Sequence, residues 1–140
     1  MYEDIQEVLF TQEQIRARVA QMGAQITADY VDRQPLVVIS VLKGAAIFMA
    51  DLVRAIELPL EMDFMAVSSY GISATSSGSV EIVKDLGASI EGKHVLVAED
   101  ILDSGLTLDF LVKELSGRKP ASLEVAALLR KQGAQKTELA

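Results

Sequence analysis

Cysteine is absent from this sequence of 140 residues, and histidine occurs once, at His94. Without cysteine the chain can form no disulfide bond, offer no thiolate to a metal ion and use no cysteine nucleophile. A chain without disulfides suits a reducing compartment, so we expect a cytoplasmic protein. The single histidine stands at the start of a predicted strand, where we expect a surface residue and not a catalyst.

Positive charge is also scarce, since 13 Lys and Arg residues stand against 20 Asp and Glu residues and the net charge is −7. Proteins that bind nucleic acid use clustered Lys and Arg to neutralise phosphates, so we expect no nucleic-acid partner. The acidic N-terminus lacks the basic start and apolar run of a signal peptide. No run approaches the about 20 apolar residues of a membrane helix, so we expect no membrane partner.

Helical and strand patterns alternate along the chain, whose length is typical of one domain. A capping-box pattern at Thr11 and Gln14 begins the first helical pattern, and others follow at 47–56 and 107–117. The predicted strands are 36–42, 60–69, 79–84, 95–98 and 123–129. We therefore expect an α/β fold over residues 1–140, a single domain with a mostly parallel sheet flanked by helices.

Helical spacing also predicts which residues face the core. The first helix should bury a stripe with steps of three and four, and the second helix a similar stripe. These residues are Ile15, Val19, Met22, Ile26 and Tyr30 in the first helix, and Ile47, Phe48, Leu52 and Ile56 in the second.

Polar residues crowd into one junction between a buried strand and a helix. Residues 99–107 read Glu-Asp-Ile-Leu-Asp-Ser-Gly-Leu-Thr, so three carboxylates and two hydroxyls follow the apolar run. Ligands of open α/β sheets bind beyond the carboxyl ends of the strands, which is where this segment falls. The adjacent carboxylates of Glu99 and Asp100 can accept hydrogen bonds from a sugar diol and attract Mg²⁺.

The start of the following helix predicts a phosphate site. Backbone N–H groups at 104–107 lack intrahelical acceptors and face the positive end of the helix dipole. Gly105 permits a tight turn, and Ser104 and Thr107 add hydroxyl donors. Asp103 lies between the carboxylate pair and the phosphate site, so it is the candidate general acid or base. No P-loop or dinucleotide-binding glycine pattern occurs, so the sequence lacks the usual support for those ligands.

Helix capping is the alternative explanation for these residues. Asp103 or Ser104 could simply cap the helix, with Glu99 and Asp100 solvated. A cap needs one side chain, however, and five polar side chains in register favour a sugar-phosphate site.

Residues 95–108, Val-Leu-Val-Ala-Glu-Asp-Ile-Leu-Asp-Ser-Gly-Leu-Thr-Leu, resemble the phosphoribosyl diphosphate signature of the type I phosphoribosyltransferases. Residues 41–52 and 63–71 resemble the first and second loop regions of the hypoxanthine-guanine branch of that family. With the N-terminal helix, these segments cover essentially the whole chain in the right order. The resemblance implies purine salvage: Mg²⁺-dependent transfer of phosphoribosyl from 5-phosphoribosyl 1-diphosphate to hypoxanthine or guanine, giving IMP or GMP plus diphosphate.

The resemblance also implies a role for each matching residue. Glu99 and Asp100 hold the ribose hydroxyls and the Mg²⁺ shell, and Asp103 is the proton acceptor facing N7 of the purine. Lys43 and Gly44 form the diphosphate loop, where the family often has a cis peptide before the Lys. The 5′-phosphate lies on Ser104, Gly105, Leu106 and Thr107.

Two further implied features concern closure and base selection. Ser69, Tyr70 and Gly71 resemble the start of a mobile loop, about 70–79, which closes over the reaction and excludes water. Lys131 would donate to the 6-oxo group of the purine, and a Lys suits an oxo acceptor because it is only a donor.

Relatives in this family continue for a few dozen residues past the position of Ala140, so we expect the chain to lack the usual C-terminal segment. The base pocket would then be open on one side, and an exposed sheet edge favours a homodimer or homotetramer.

Two other functions share parts of this pattern. A non-catalytic regulatory module could sense phosphoribosyl diphosphate or a nucleotide with the same phosphate loop, but it would need neither Asp103 nor Lys131. A receiver-like signalling domain also binds Mg²⁺ at acidic strand ends, but it has no use for a Ser-Gly-Leu-Thr phosphate cradle.

Overall fold

The structure, a computed structural model, describes residues 10–68, 80–102 and 106–130, without the side chains of Leu106 and Arg130. Helices and strands are interspersed in these ranges, as the sequence predicted, and three of the described strands separate the second helix from the third. The elements are α1 (Gln12–Tyr30), β1 (Leu36–Val41), α2 (Ala46–Ala55), β2 (Glu61–Ser68), β3 (Glu81–Lys84), β4 (His94–Leu102), α3 (Leu106–Ser116) and β5 (Ser122–Arg130). None of the helices in these ranges is long and apolar enough to cross a bilayer.

The described strands form a five-stranded sheet in the order β3-β2-β1-β4-β5. β1 pairs in parallel with β2 and β4, and β4 pairs in parallel with β5. β3 runs antiparallel beside β2, and the register shifts between Ala66 and Val67. The predicted α/β fold with a mostly parallel sheet is therefore confirmed. β1 lies at its centre, which explains why its first five residues are buried and nearly all apolar.

Side chains that alternate along the strands build one apolar layer on each face of the sheet. On one face, Leu36 and Val38 pack with residues of α1 and α2. On the other face, Val37 and Ile39 pack with Leu108, Leu111 and Leu115 of α3. The sheet is thus flanked by helices on both faces.

Helix α1 begins as the sequence predicted. The Thr11 hydroxyl accepts a hydrogen bond from Gln14 N at 3.0 Å, and Thr11 N donates to Gln14 Oε1 at 2.8 Å. This capping box satisfies two amides at the helix N-terminus. Val19, Met22, Ile26 and Tyr30 are buried as expected, but Ile15 is 37% exposed. Ile15 lines an open cleft between the first turns of α1 and Asp51 and Arg54 of α2, so its prediction as a core residue was wrong.

Helix α2 buries a narrower face than its spacing suggested. Phe48, Met49 and Leu52 are buried, whereas Ile47 is 76% exposed. Ile47 lies about 100° around the helix from Phe48, on the side away from Met49 and Leu52. The prediction that Ile47 faces the core was therefore wrong.

Helices α1 and α2 cross at Gly23. A Cβ atom at Gly23 would lie 2.4 Å from both the Cβ and the carbonyl oxygen of Ala55. Thr27 strengthens the crossing, because its hydroxyl donates to Gly23 O at 2.7 Å and accepts from Glu57 N at 2.9 Å. A residue without a side chain is what lets the two backbones approach.

Strand β4 is longer than the apolar run that predicted it. It continues from the predicted 95–98 to Leu102, and its register with β5 reaches Leu102 and Arg130. Glu99 and Asp100 are therefore residues of the strand, whereas the sequence placed them after its end. Pairing with β5 extends the ladder through polar residues that have little strand propensity of their own.

Hydrogen bonds join the segments at the amino edge of the sheet, which is the edge where the parallel strands begin. Lys93 Nζ pairs with Glu61 Oε2 at 3.2 Å, and His94 Nδ1 lies 2.7 Å from Ser122 Oγ. His94 is half-buried at this edge, away from the carboxyl ends of the strands. Gly92, at φ 76°, turns the chain into β4. Three backbone bonds complete the edge: Gly92 N to Lys119 O, His94 N to Pro35 O and Ala121 N to Lys93 O.

Candidate active site

The carboxyl ends of the parallel strands bring the predicted site residues to one edge of the sheet. Ser40 of β1 is in register with Ala98 of β4. β1 and β4 are neighbouring parallel strands, about 4.8 Å apart, so the segment with Lys43 and Gly44 that follows β1 comes to the same edge of the sheet as Glu99 and Asp100. These four predicted residues come from two separate parts of the sequence and share one edge.

The segment between β1 and α2 contains backbone amides that are free to bind a ligand, as far as the described residues go. The Leu42–Lys43 peptide is cis, as the family resemblance implied. Leu42 N donates to Met65 O at 2.8 Å, and Ala46 N donates to Lys43 O at 3.1 Å. The amides of Lys43 and Gly44 thus have no acceptor among the described residues. Apart from its chain neighbours, no atom of the described residues lies within 4 Å of a Cβ built at Gly44, so these residues leave space on this side of the segment.

Glu99 and Asp100 form a hydrogen-bonded carboxyl pair. Burial, followed by the hydrogen bond and the charge of Asp100, raises the pKa of Glu99 to about 7. Asp100 Oδ1 accepts a hydrogen bond from Ile101 N at 2.8 Å. A cation bound beside the pair would favour the ionised form of Glu99 and so lower its pKa.

Glu99 and Asp100 offer the oxygen ligands that Mg²⁺ prefers. Within residues 10–68, 80–102 and 106–130, no group of three or more His, Cys, Asp or Glu residues could hold a metal ion. Mg²⁺ usually keeps several waters and binds through one or two carboxylates plus substrate phosphates. Glu99 and Asp100 supply that number of carboxylates.

Helix α3 begins four residues after β4 ends. Its first turn contains Leu106 and Thr107, with Thr107 half-buried, so their amides belong to the positive end of the helix. Asp109 in the same turn pairs with Lys113 at 3.1 Å. Asp103, Ser104 and Gly105 lie outside the described residues, and their assigned roles stay predictions.

Other predicted residues also lie outside the described part of the chain. These are Lys131, the candidate purine contact, and Ser69, Tyr70 and Gly71 with the predicted loop at 70–79.

Two residues of this edge were not among the sequence candidates. Ile101 is 50% exposed beside the carboxylate pair, and Ser40 is fully buried at the end of β1. The sequence contains a signal for Ile101, because this isoleucine stands between Asp100 and a second apolar residue. The sequence contains no such signal for Ser40, because this serine is notable only for its burial, which the sequence does not reveal.

The class of the protein follows from comparison with known families. Residues 6–140 match the model of the phosphoribosyl transferase domain. Hypoxanthine-guanine phosphoribosyltransferase of Mycobacterium avium is 54% identical over 137 residues, which are 94% of this chain and 68% of that protein.

Solved structures agree with the sequence comparison. A hypoxanthine phosphoribosyltransferase from Staphylococcus aureus superposes with a TM-score of 0.93 at 46% identity, covering 100% of this chain and 76% of that one. The enzyme from Trypanosoma cruzi, studied for the role of its C-terminal region in oligomeric state and activity, gives a TM-score of 0.89 at 43% identity over 96% of this chain and 74% of its own. The chain belongs to the type I phosphoribosyltransferase family, in its hypoxanthine-guanine branch, and is a phosphoribosyl-transferring enzyme of purine salvage.

Proposed function

We propose that this enzyme transfers phosphoribosyl from 5-phosphoribosyl 1-diphosphate to hypoxanthine or guanine, giving IMP or GMP and diphosphate. The observation that carries the proposal is the position of the Glu99 and Asp100 pair beside the open backbone of Lys43 and Gly44. An anion site next to two carboxylates suits a substrate that has both a diphosphate and a sugar diol. Relatives named for this activity support the choice of substrate class.

The binding roles follow from donor and acceptor chemistry. Glu99 and Asp100 accept hydrogen bonds from the ribose hydroxyls, while the amides of Lys43 and Gly44 and the Lys43 ammonium bind the diphosphate. The 5′-phosphate binds at the start of α3, to the backbone and hydroxyls of Ser104, Gly105, Leu106 and Thr107.

Asp103 removes the proton at N7 of the purine as the new glycosidic bond forms. Lys131 donates to the 6-oxo group and so selects a 6-oxopurine over adenine, whose amino group cannot accept that bond. Ile101 offers apolar surface to the flat base at the same edge of the sheet.

Mg²⁺ is the proposed cofactor, held by Glu99 and Asp100 together with the substrate. When bound, it neutralises charge on the diphosphate leaving group. The carboxylate pair, for its part, positions the ribose so that the reacting carbon and the purine meet in one geometry.

Three further proposals concern the whole chain. Residues 1–140 form a single phosphoribosyltransferase domain, with a loop at about 70–79 that begins at Ser69, Tyr70 and Gly71 and excludes water during transfer. The enzyme works in the cytoplasm. It assembles as a homodimer or homotetramer. The Trypanosoma cruzi relative was studied for the role of its C-terminal region in oligomeric state and activity, so the oligomeric state of this chain should be measured together with its activity.

A direct assay tests the activity. Purified protein is incubated with 5-phosphoribosyl 1-diphosphate, Mg²⁺ and, separately, hypoxanthine, guanine, xanthine or adenine, and nucleotide formation is followed. We expect nucleotide from hypoxanthine or guanine, none from adenine, and loss of product when the metal is chelated. Binding of phosphoribosyl diphosphate without nucleotide from any base would contradict the proposal and favour a sensor module.

A further inference from the structure

Ser40 is the buried polar residue of the described ranges, with 0% of its surface exposed. Among the residues that the structure describes, its hydroxyl oxygen has no hydrogen-bond partner. Buried polar groups are nearly always paired, so an unpaired one in a central strand calls for a physical explanation.

The position of Ser40 connects it to the segment that follows β1. Leu36 and Val38 point into the layer under α1 and α2, and Ser40, two residues further along the strand, points to the same layer. Its register partners are Phe64 on β2 and Ala98 on β4, whose side chains can accept no hydrogen bond. Two residues after Ser40 the chain leaves the sheet at Leu42 and enters the open segment around Lys43 and Gly44.

An unpaired buried hydroxyl lowers the free energy of unfolding, whereas an alanine side chain at the same position would not. Residues 42–45 follow Ser40 along the chain and lie outside the ladder of the sheet, and among the described residues no backbone donor reaches the carbonyl oxygens of Leu42 and Gly44. These oxygens can accept from the hydroxyl, while the amides of Lys43 and Gly44 stay available to the diphosphate. A small adjustment of this segment around a bound diphosphate would bring a backbone group to the hydroxyl. The residue would then be satisfied in the bound state and unsatisfied in the free state.

We propose that Ser40 is a positioning residue of the diphosphate segment: its hydroxyl pairs with the backbone of residues 42–45 in the substrate complex and thereby favours the binding conformation. This inference rests on the proposed function, because it assumes that residues 42–45 bind the diphosphate. It assigns a role in affinity to a residue that does not touch the substrate.

The Ser40→Ala variant tests the role of the hydroxyl in the free state and in the bound state separately. Without ligand, Ser40→Ala should leave the midpoint of thermal unfolding unchanged or raise it, since it removes an unsatisfied group. With Mg²⁺ and 5-phosphoribosyl 1-diphosphate, the rise in midpoint should be smaller than in the wild type. The loss of one hydrogen bond in the complex corresponds to a dissociation constant about 3- to 10-fold higher. The KM for phosphoribosyl diphosphate should rise by the same factor while kcat changes little.

Val38→Ala is the matched control. Val38 is also 0% exposed and faces the same layer of the same strand, but it is farther from residues 42–45. We expect this variant to lower the midpoint equally with and without ligand, because a cavity destabilises both states. Its ligand-induced shift and its KM should match those of the wild type.

Two results would overturn the inference. A lower midpoint for Ser40→Ala without ligand would mean that the hydroxyl is already satisfied in the free protein. A ligand-induced shift and KM equal to those of the wild type would mean that Ser40 takes no part in binding. If the wild type itself shows no shift with Mg²⁺ and phosphoribosyl diphosphate, the proposed function fails, and this inference fails with it.

Discussion

At the scale of single residues, Glu99 links the chemistry of the site to the stability of the fold. Its pKa rises from 4.5 to about 7, first because it is buried and then because Asp100 is beside it. The folded protein therefore holds a proton that the unfolded chain releases at lower pH. The free energy of unfolding that this proton contributes is present below pH 4.5 and is lost as pH rises from 4.5 to about 7.

Glu99→Gln should therefore stabilise the free protein at pH 8 and have little effect at pH 4.5. We expect a gain of about 1–2 kcal/mol at pH 8, less than the full shift would give because Glu99 is only half-buried. Urea denaturation at the two pH values measures it. Glu91→Gln, at an exposed site, is the control and should follow the wild type at both. Equal stability of Glu99→Gln and the wild type at pH 8 would argue against a buried, coupled carboxylate.

Asp103 carries the proposed proton transfer, and its replacement tests that role alone. Asp103→Asn keeps the shape of the side chain and removes the base, so turnover should fall by roughly 100- to 10,000-fold. Binding of 5-phosphoribosyl 1-diphosphate should be nearly unchanged, since other residues are proposed to bind its phosphates. Steady-state kinetics and calorimetric binding make the comparison. An unchanged turnover would remove Asp103 from the mechanism.

At the scale of elements, the α1 and α2 crossing depends on the missing side chain of Gly23. Intrinsic helix propensity alone would make Gly23→Ala stabilising by about 1 kcal/mol. The structure predicts the opposite, because the new Cβ would lie 2.4 Å from Ala55 backbone and side-chain atoms. We expect destabilisation by about 1–3 kcal/mol, measured by chemical denaturation. Gly117→Ala, whose Cβ would meet its nearest neighbour at 3.5 Å, should cost much less.

Local sequence patterns predicted the helices and strands well where the interactions that set their bounds are local in sequence. The capping box at Thr11 and Gln14 fixed the start of α1, and the apolar run of β1 fixed the central strand. Ile15 and Ile47 were wrongly predicted as core residues. The part of a helix surface that is buried depends on how far the neighbouring elements extend, and local spacing does not reveal this. β4 was predicted too short because its last residues are held by pairing with β5, which no local pattern reveals.

The site was predictable to the extent that its chemistry is local in sequence. Glu99 and Asp100 stand together in one segment, and the rule of ligand binding at carboxyl strand ends located them. Lys43 and Gly44 were tied to them only through family resemblance, and the register of β1 with β4 explains why they are neighbours. Ser40 could not be found from the sequence, because a serine in an apolar run becomes informative only when its burial and its missing partner are known.

At the scale of the whole molecule, substrate binding should depend on the metal. With Mg²⁺, phosphoribosyl diphosphate at about 100 times its dissociation constant should stabilise the fold by about 2.7 kcal/mol. For a chain of this size that is a rise in unfolding midpoint of roughly 5–10 °C. With a chelator in place of Mg²⁺, the rise should nearly vanish, because Glu99 and Asp100 would then repel the diphosphate. Differential scanning fluorimetry compares the two, and an equal rise in both would rule out the proposed metal role.

The bonds at the amino edge of the sheet have a dynamic consequence for the molecule. That edge is closed by the backbone bonds of Gly92, His94 and Ala121 and by the side-chain pairs of Lys93 and His94. Protection from amide hydrogen exchange should therefore be greatest near the start of β4 and should decline toward the carboxyl ends of the strands. Local opening of the sheet would then occur at the edge proposed to bind substrate, while the strands stay paired at the opposite edge.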